Sequence, residues 1–275
     1  MLRIVGVHGV GNLRPGRTAE VAGRQLSAIW RRHLGRGPIG LPAYEFEISM
    51  AYYADHLAAG AQGVDDSLET LPADAEAMVR AWIGELALPA DQPQGLATWP
   101  VRQMVGWLAE RRHISPALTE LFVSRFFREV AAYFRPGPAR VAARETVSYA
   151  IREQRPDVVI AHSLGSVVAY EALWHDPQPE VQLLVTLGSP LALPHAVYPR
   201  LSPSTDGGGG GRPPGVRRWV NIADPGDLVA LPARGISRGF SPVDADLYDV
   251  VHAFDFHLVA NYLACDRLAD TLKGA

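Results

Sequence analysis

Residues 158–168 read Val-Val-Ile-Ala-His162-Ser163-Leu164-Gly165-Ser166-Val-Val. A short β-branched run stops at a serine, and an apolar run with helical patterning begins at once. A strand that turns into a helix this abruptly presses the two together. The positions two before and two after the serine can then carry little side chain. Ala161 and Gly165 occupy them; glycine at both is the commoner pattern, so Ala161 is a mild departure. This is the sequence form of a nucleophile elbow, which holds a serine Oγ above the edge of a sheet. A bare G-x-S-x-G match is weak, but here a buried-type strand over 157–161 precedes it. A helix over 164–174 follows, with Val167, Val168, Ala169, Ala172 and Leu173 to bury. The competing reading is an ordinary strand-to-helix turn.

The rest of the chain supplies more strands and helices in alternation. A buried-type strand over 2–7 breaks at His8-Gly9-Val10-Gly11-Asn12. A helix over 18–34 has Ala22, Leu26, Ile29, Trp30 and Leu34 at helical spacing. A strand over 44–53 alternates Phe46, Ile48, Met50 and Tyr52 with polar residues. Further strands are expected over 181–187, 217–223 and 246–251, an amphipathic helix over 139–154, and one closing helix over 258–272. Strand–helix alternation implies an α/β fold, with a mainly parallel sheet and helices on both faces. Residues 55–135 differ: helical patterns recur over 73–88, 99–112 and 115–130, with a linker over 89–95 and no convincing strand. The expected organisation is one α/β domain over 1–275 with a helical insertion over 55–135 placed to act as a cap. Trp82, Trp99, Trp107, Phe122 and Phe126 of that insertion either line an apolar pocket above Ser163 or only close the insertion onto the sheet. The glycine run at 207–211 is expected to be a mobile rim.

Composition excludes several roles. With 275 residues, 48% hydrophobic and 20% charged, a sizeable core can form without a membrane. A net charge of −3 argues against a nucleic-acid partner. Cys265 is the only cysteine, so no internal disulfide forms; it reads as a small core residue of the closing helix. No apolar run approaches the ~20 residues of a membrane span, and no signal peptide is legible, so the expected location is the cytoplasm. His33, His56, His113, His175 and His195 have no metal-ligand spacing. No metal and no organic cofactor is expected.

A serine hydroxyl needs a histidine to take its proton and a carboxylate to fix that histidine. Both follow Ser163 in the order that a sheet of this type requires. The strand over 217–223 runs into Asp224-Pro225-Gly226-Asp227. Asp227, at the tip of the turn, is the first choice of acid; Asp224, nearer the strand end, is the second. The last strand runs into His252 and, just before the closing helix, His257. His257 is preferred as base for its place in the element order, with His252 second. His162 is expected to face away from the site by strand alternation, packing or ordering the elbow. A tetrahedral intermediate also needs two N–H donors for its oxyanion. The backbone of Leu164 is one candidate. Val10, in the glycine-rich turn after the first strand, is the other. A phosphate-binding turn is the competing reading of 8–12, but a third glycine and a later acidic residue are missing.

These pieces together resemble the α/β-hydrolase superfamily over most of the chain. The elbow Ala-His162-Ser163-Leu164-Gly165 and the strand-end His8-Gly9 are marks of it. The segment Asn221-Ile-Ala-Asp224-Pro-Gly-Asp227-Leu-Val is similar to the acid region of class 3-type lipases. His257 with Asn261-Tyr262-Leu263 is similar to the histidine region of lipase-like and deacylase-like bacterial members. The resemblance implies Ser163, Asp227 and His257 as a triad. The insertion lies before the elbow, whereas caps in this superfamily more often follow the next strand. The first functional expectation is a serine-dependent hydrolase acting on a small apolar ester or thioester through an acyl-enzyme. An acyltransferase or cyclase using the same three residues is the second. A non-catalytic module whose insertion binds a partner is the third.

Overall fold

The computed structural model describes residues 1–36, 45–58, 66–86, 95–177, 179–205, 209–251 and 257–274. Its centre is a six-stranded sheet. In chain order the strands are β1 (Leu2–Val7), β2 (Phe46–Ala51), β3 (Val158–His162), β4 (Val181–Leu187), β6 (Val216–Ala223) and β8 (Ala245–Tyr248). The two-residue strands β5 (Gly210–Gly211) and β7 (Phe240–Ser241) form a separate pair, with the short helix α8 (Gly235–Gly239) leading into β7. The main sheet runs in the order β2-β1-β3-β4-β6-β8, and every pairing is parallel. From β1 the chain crosses to β2 on one side and later returns to β3 on the other. This reversal opens a crevice at the carboxyl ends of β1 and β3, where such sheets bind ligands. Val7 lies beside Ala161 in the register, so the turn after β1 and the turn after β3 emerge side by side.

Alternation along the strands divides the core into two faces. Val5, Val7, Val159, Ala161, Leu184 and Trp219 face α6 (Pro138–Gln154), α7 (Leu164–His175) and the helices of the insertion. Ile4, Val158, Ile160, Leu183, Val185 and Ile222 face α1 (Ala19–Leu34), α9 (Val259–Leu263) and α10 (Asp266–Lys273). Helix α7 is buried from Leu164 to Leu173, which explains a sequence apolar on all sides. Thr18 caps α1 by accepting from Val21 N–H at 3.3 Å.

Between β2 and α6 the described residues form no strand. They hold α2 (Ala54–Leu57), α3 (Ala73–Leu86), α4 (Val101–Arg111) and α5 (Pro116–Phe134), with short 3₁₀ turns at Leu68–Thr70 and Leu96–Thr98. Met78, Trp82, Met104, Phe126, Phe127 and Val130 of these helices belong to the same core as the sheet face above. The insertion therefore shares its core with the sheet.

Three expectations need correction. The closing helix is two helices, α9 and α10, because the chain turns at Ala264–Cys265. Cys265 is thus a half-buried cap residue and not part of a helix interior. The last strand ends at Tyr248, short of Val251. In the glycine run, Gly210 and Gly211 pair with Phe240 and Ser241 and pack on Phe240 and Trp174, so this part is a packed strand; residues 207 and 208 lie outside the described residues.

Candidate active site

Ser163 sits between β3 and α7 with φ 55° and ψ −132°, a backbone state that costs a non-glycine residue free energy. The elbow is tight on both sides. A Cβ on Gly165 would stand 2.3 Å from the His8 carbonyl oxygen, and one on Gly9 would stand 2.6 Å from Ser163 Cβ. Together with the parallel sheet and its flanking helices, this strained strand-to-helix turn gives the chain the architecture of an α/β-hydrolase fold.

Asp224-Pro225-Gly226-Asp227 closes a β-turn after β6, with Asp227 N–H donating to the Asp224 carbonyl at 2.9 Å. The carboxylate of Asp224 accepts from Gly226 N–H at 2.6 Å and Val251 N–H at 2.5 Å, and so builds the turn. Asp227 points into the site. It accepts from Val229 N–H at 2.9 Å and from the Tyr262 hydroxyl at 2.7 Å. His257 precedes α9 at φ 66°. Its Nδ1 lies 2.8 Å and 3.0 Å from the two Asp227 oxygens, and its Nε2 lies 2.6 Å from Ser163 Oγ. The structure thus brings Ser163, His257 and Asp227 into one hydrogen-bonded line. His252 lies outside the described residues.

The electrostatics follow from burial. Ser163 is wholly buried, and Asp227 and His257 are nearly so. Burial pushes the Asp227 carboxyl up. The His257 ring, the Tyr262 hydroxyl and the Val229 N–H outweigh it and hold the carboxyl below its usual range. An ionised Asp227 accepts from Nδ1–H, which leaves Nε2 free to accept the Ser163 hydroxyl proton. Burial beside the same carboxylate raises the Tyr262 hydroxyl, which stays a donor.

The turn after β1 is fixed by side chains. His8 Nδ1–H donates to the Gly9 carbonyl at 2.9 Å, and its Nε2 accepts the Tyr53 N–H at 3.3 Å. Burial pushes His8 down to about 4, which keeps that neutral tautomer. Asn12 Nδ2 donates to the carbonyls of Gly9 at 2.9 Å and Val10 at 3.1 Å. In a trans peptide the N–H points opposite its C=O, so fixing the Gly9 carbonyl also fixes the Val10 N–H. Among the described residues, neither Val10 N–H nor Leu164 N–H has a hydrogen-bond acceptor.

One participant, Gly188, carried no sequence signal, and other residues named from the sequence are placed as follows. Gly188, at φ 51° after β4, leaves room for the line of three: a Cβ there would lie 2.6 Å from Asp227 Oδ2. His162 does share the face of Ile160, but the His257 ring comes down on that face at 4.8 Å, so His162 does not turn away from the site. The reason is that α9, which His257 precedes, packs on that same face, with the Tyr262 ring 5.8 Å from the His162 ring. Of the insertion aromatics, the Phe122 and Phe126 rings stand 5.3 and 6.0 Å from the His257 ring, edge to face. Trp82 is core and donates from Nε1 to the Leu228 carbonyl at 2.6 Å; Trp99 and Trp107 pack at the periphery. Ser189 bonds to Ser166 Oγ at 2.7 Å and supports the elbow.

Among the described residues no group of three or more His, Cys, Asp or Glu is placed to hold a metal ion, and no helix is long and apolar enough to cross a membrane. No protein-family model and no curated protein matches the chain. Among solved structures, the crystal structure of dienelactone hydrolase from Anabaena variabilis is similar, at 12% identity and a TM-score of 0.37, over 99% of this chain and 83% of that one.

Proposed function

We propose that this chain is a serine-dependent acyl hydrolase of small apolar esters or thioesters, with Ser163 as nucleophile, His257 as base and Asp227 as its orienting carboxylate. The observation that carries the reading is the 2.6 Å hydrogen bond from Ser163 Oγ to His257 Nε2, continued by the 2.8 Å bond from Nδ1 to Asp227. In this reaction Ser163 Oγ attacks the acyl carbon while its proton passes to His257 Nε2. The carbonyl oxygen takes the negative charge and lies against the N–H groups of Val10 and Leu164. The intermediate collapses to an acyl-enzyme, and the imidazolium returns the proton to the departing alcohol or thiol. Water, deprotonated by His257, then releases the acid by the same steps in reverse.

The insertion over 55–135 serves as the cap. Support for this role comes from Phe122 and Phe126, which stand against His257 and supply an apolar wall suited to an acyl chain or ring. The deep burial of Ser163 under that wall also favours transfer to an alcohol or amine acceptor as a second reading. A fluorophosphonate probe tests the nucleophile. Wild-type protein is expected to label at one site, and Ser163→Ala is expected to lose labelling and ester turnover while keeping its fold. Labelling that persists in Ser163→Ala, or that maps to Ser189, overturns the assignment. Adding an alcohol during turnover separates the two readings, because a transferase yields the new ester in place of the free acid.

A further inference from the structure

Helix α5 touches the site at both ends of its chemistry. Phe122, Phe126 and Glu129 fall on one helical face, at i, i+4 and i+7. The two phenyl rings meet His257. A turn further on, Glu129 Oε1 accepts the Gly11 N–H at 2.8 Å across more than a hundred residues of sequence. That N–H belongs to the peptide between Val10 and Gly11. The preceding peptide, between Gly9 and Val10, carries the N–H proposed to face the oxyanion. His8 and Asn12 hold the carbonyls of both peptides. The Val10–Gly11 peptide is thus held at both ends, by Asn12 at its carbonyl and by Glu129 of the insertion at its N–H.

Resting on the hydrolase reading above, we propose that Glu129 is a positioning residue: its carboxylate, carried on the cap helix, fixes the Val10–Gly11 peptide and so sets the aim of the oxyanion donor. The cap is thereby part of the catalytic geometry and not only a wall for the acyl group. Gly11 sits at φ 73°, where a side chain is strained, so the turn has little intrinsic preference to hold this shape alone. The carboxylate is partly buried, and burial pushes it up to about 7, against the pull of the Gly11 N–H and Arg125. The charged and titratable groups that face it are Arg125 on α5, Asp66 before the first 3₁₀ turn, and Tyr52 and Tyr53 after β2. His8, Arg14 and Asp55 lie around the same turn. The ionised form accepts the peptide N–H more strongly than the neutral acid. Activity therefore falls on acidification through the titration of Glu129.

The test uses full-length protein, a p-nitrophenyl ester and the fluorophosphonate probe. Glu129→Ala is expected to lower kcat about tenfold or more with KM changed less than about threefold, since an oxyanion donor acts on the transition state. Glu129→Gln keeps a neutral acceptor for the Gly11 N–H, and its kcat at alkaline pH is expected to fall between those of the wild type and Glu129→Ala. Its acid limb of kcat/KM should follow a single ionisation where that of the wild type is steeper. A merely structural role would not change that steepness. Wild-type kcat in Glu129→Ala, or superimposable acid limbs in wild type and Glu129→Gln, overturns the proposal. Wild-type protein that never labels at Ser163 overturns the hydrolase reading instead, so the two failures are told apart.

Discussion

Asp227 accepts from His257, Tyr262 and Val229 at once, and two of those donors were silent in the sequence. Ser163, Asp227 and His257 could be selected because each ends a strand or opens a helix in a required order. Tyr262 looked like an apolar core residue of a helix, and it is one; its hydroxyl reaches Asp227 only because α9 packs its other atoms on the sheet. Gly188 is similar, since its need for glycine arises from a side chain distant in sequence. On the proposed mechanism, Asp227→Asn costs ~10⁴-fold in turnover, as in other triads. Asp224→Asn costs much less, because the Asp224 carboxylate accepts from the backbone N–H groups of Gly226 and Val251 and does not bond the imidazole. Steady-state kinetics of the two variants checks this; equal losses would mean that the turn, and not the charge on Asp227, limits the rate. Tyr262→Phe removes one hydrogen bond to an ionised group, about 1.5–3 kcal/mol of interaction. It is expected to lower kcat roughly tenfold or more, and unchanged kcat would assign the hydroxyl to Asp224 N–H alone.

At the scale of elements, the elbow was legible because its steric demand is local. β3, Ser163 and α7 are consecutive, and the small residues at 161 and 165 reflect contacts made within one turn. Gly165→Ala would press a Cβ onto the backbone oxygens of Val7 and His8, which cannot swing aside as a side chain can. The variant is expected to fold poorly, or to fold with β1 displaced from β3 and no labelling of Ser163; native circular dichroism with full labelling would refute that. The insertion was legible as helical, from periodicity, but not in its aim. Helical spacing placed Phe122 and Phe126 on one face of α5 without telling which of its several apolar faces meets the site. The structure divides its aromatics, with Trp82 in the core and Phe122 and Phe126 beside His257. Phe126 is fully buried, so Phe126→Ala leaves a cavity and costs about 3–5 kcal/mol of stability. Phe122 is only partly buried. Phe122→Ala is expected to change the preference among ester chain lengths more than the melting temperature, measured on a series of p-nitrophenyl esters.

The whole molecule joins two kinds of buried ionisable group whose pH responses oppose each other. The α/β class was readable from strand–helix alternation. The pairing order, with the reversal between β1 and β3 that sets the two turns together, is a tertiary fact that no local pattern encodes. That order buries His8 and His162 in the crevice, where burial holds His8 at about 4 and His162 well below its usual value. Below pH ~6.5 the unfolded chain takes up protons at these histidines that the folded chain refuses, so stability falls as pH drops from there toward 4. For His8 alone the full shift corresponds to on the order of 3 kcal/mol. Glu129 acts with the opposite sign. Its folded value of about 7 lies above the 4.5 of a free glutamate, so between those values the folded chain keeps a proton that the unfolded chain releases. Its contribution therefore grows on acidification from pH 7 to 4.5 and offsets part of the histidine loss, less than in full because the side chain is partly exposed. Glu129→Gln removes only the offset. Its melting temperature is expected to fall between pH 7 and pH 5 by roughly 2–4 °C more than that of the wild type. Parallel melting curves for the two proteins across that interval would mean that Glu129 titrates alike in the folded and unfolded chains. The acidic side of the stability profile would then belong to the histidines alone.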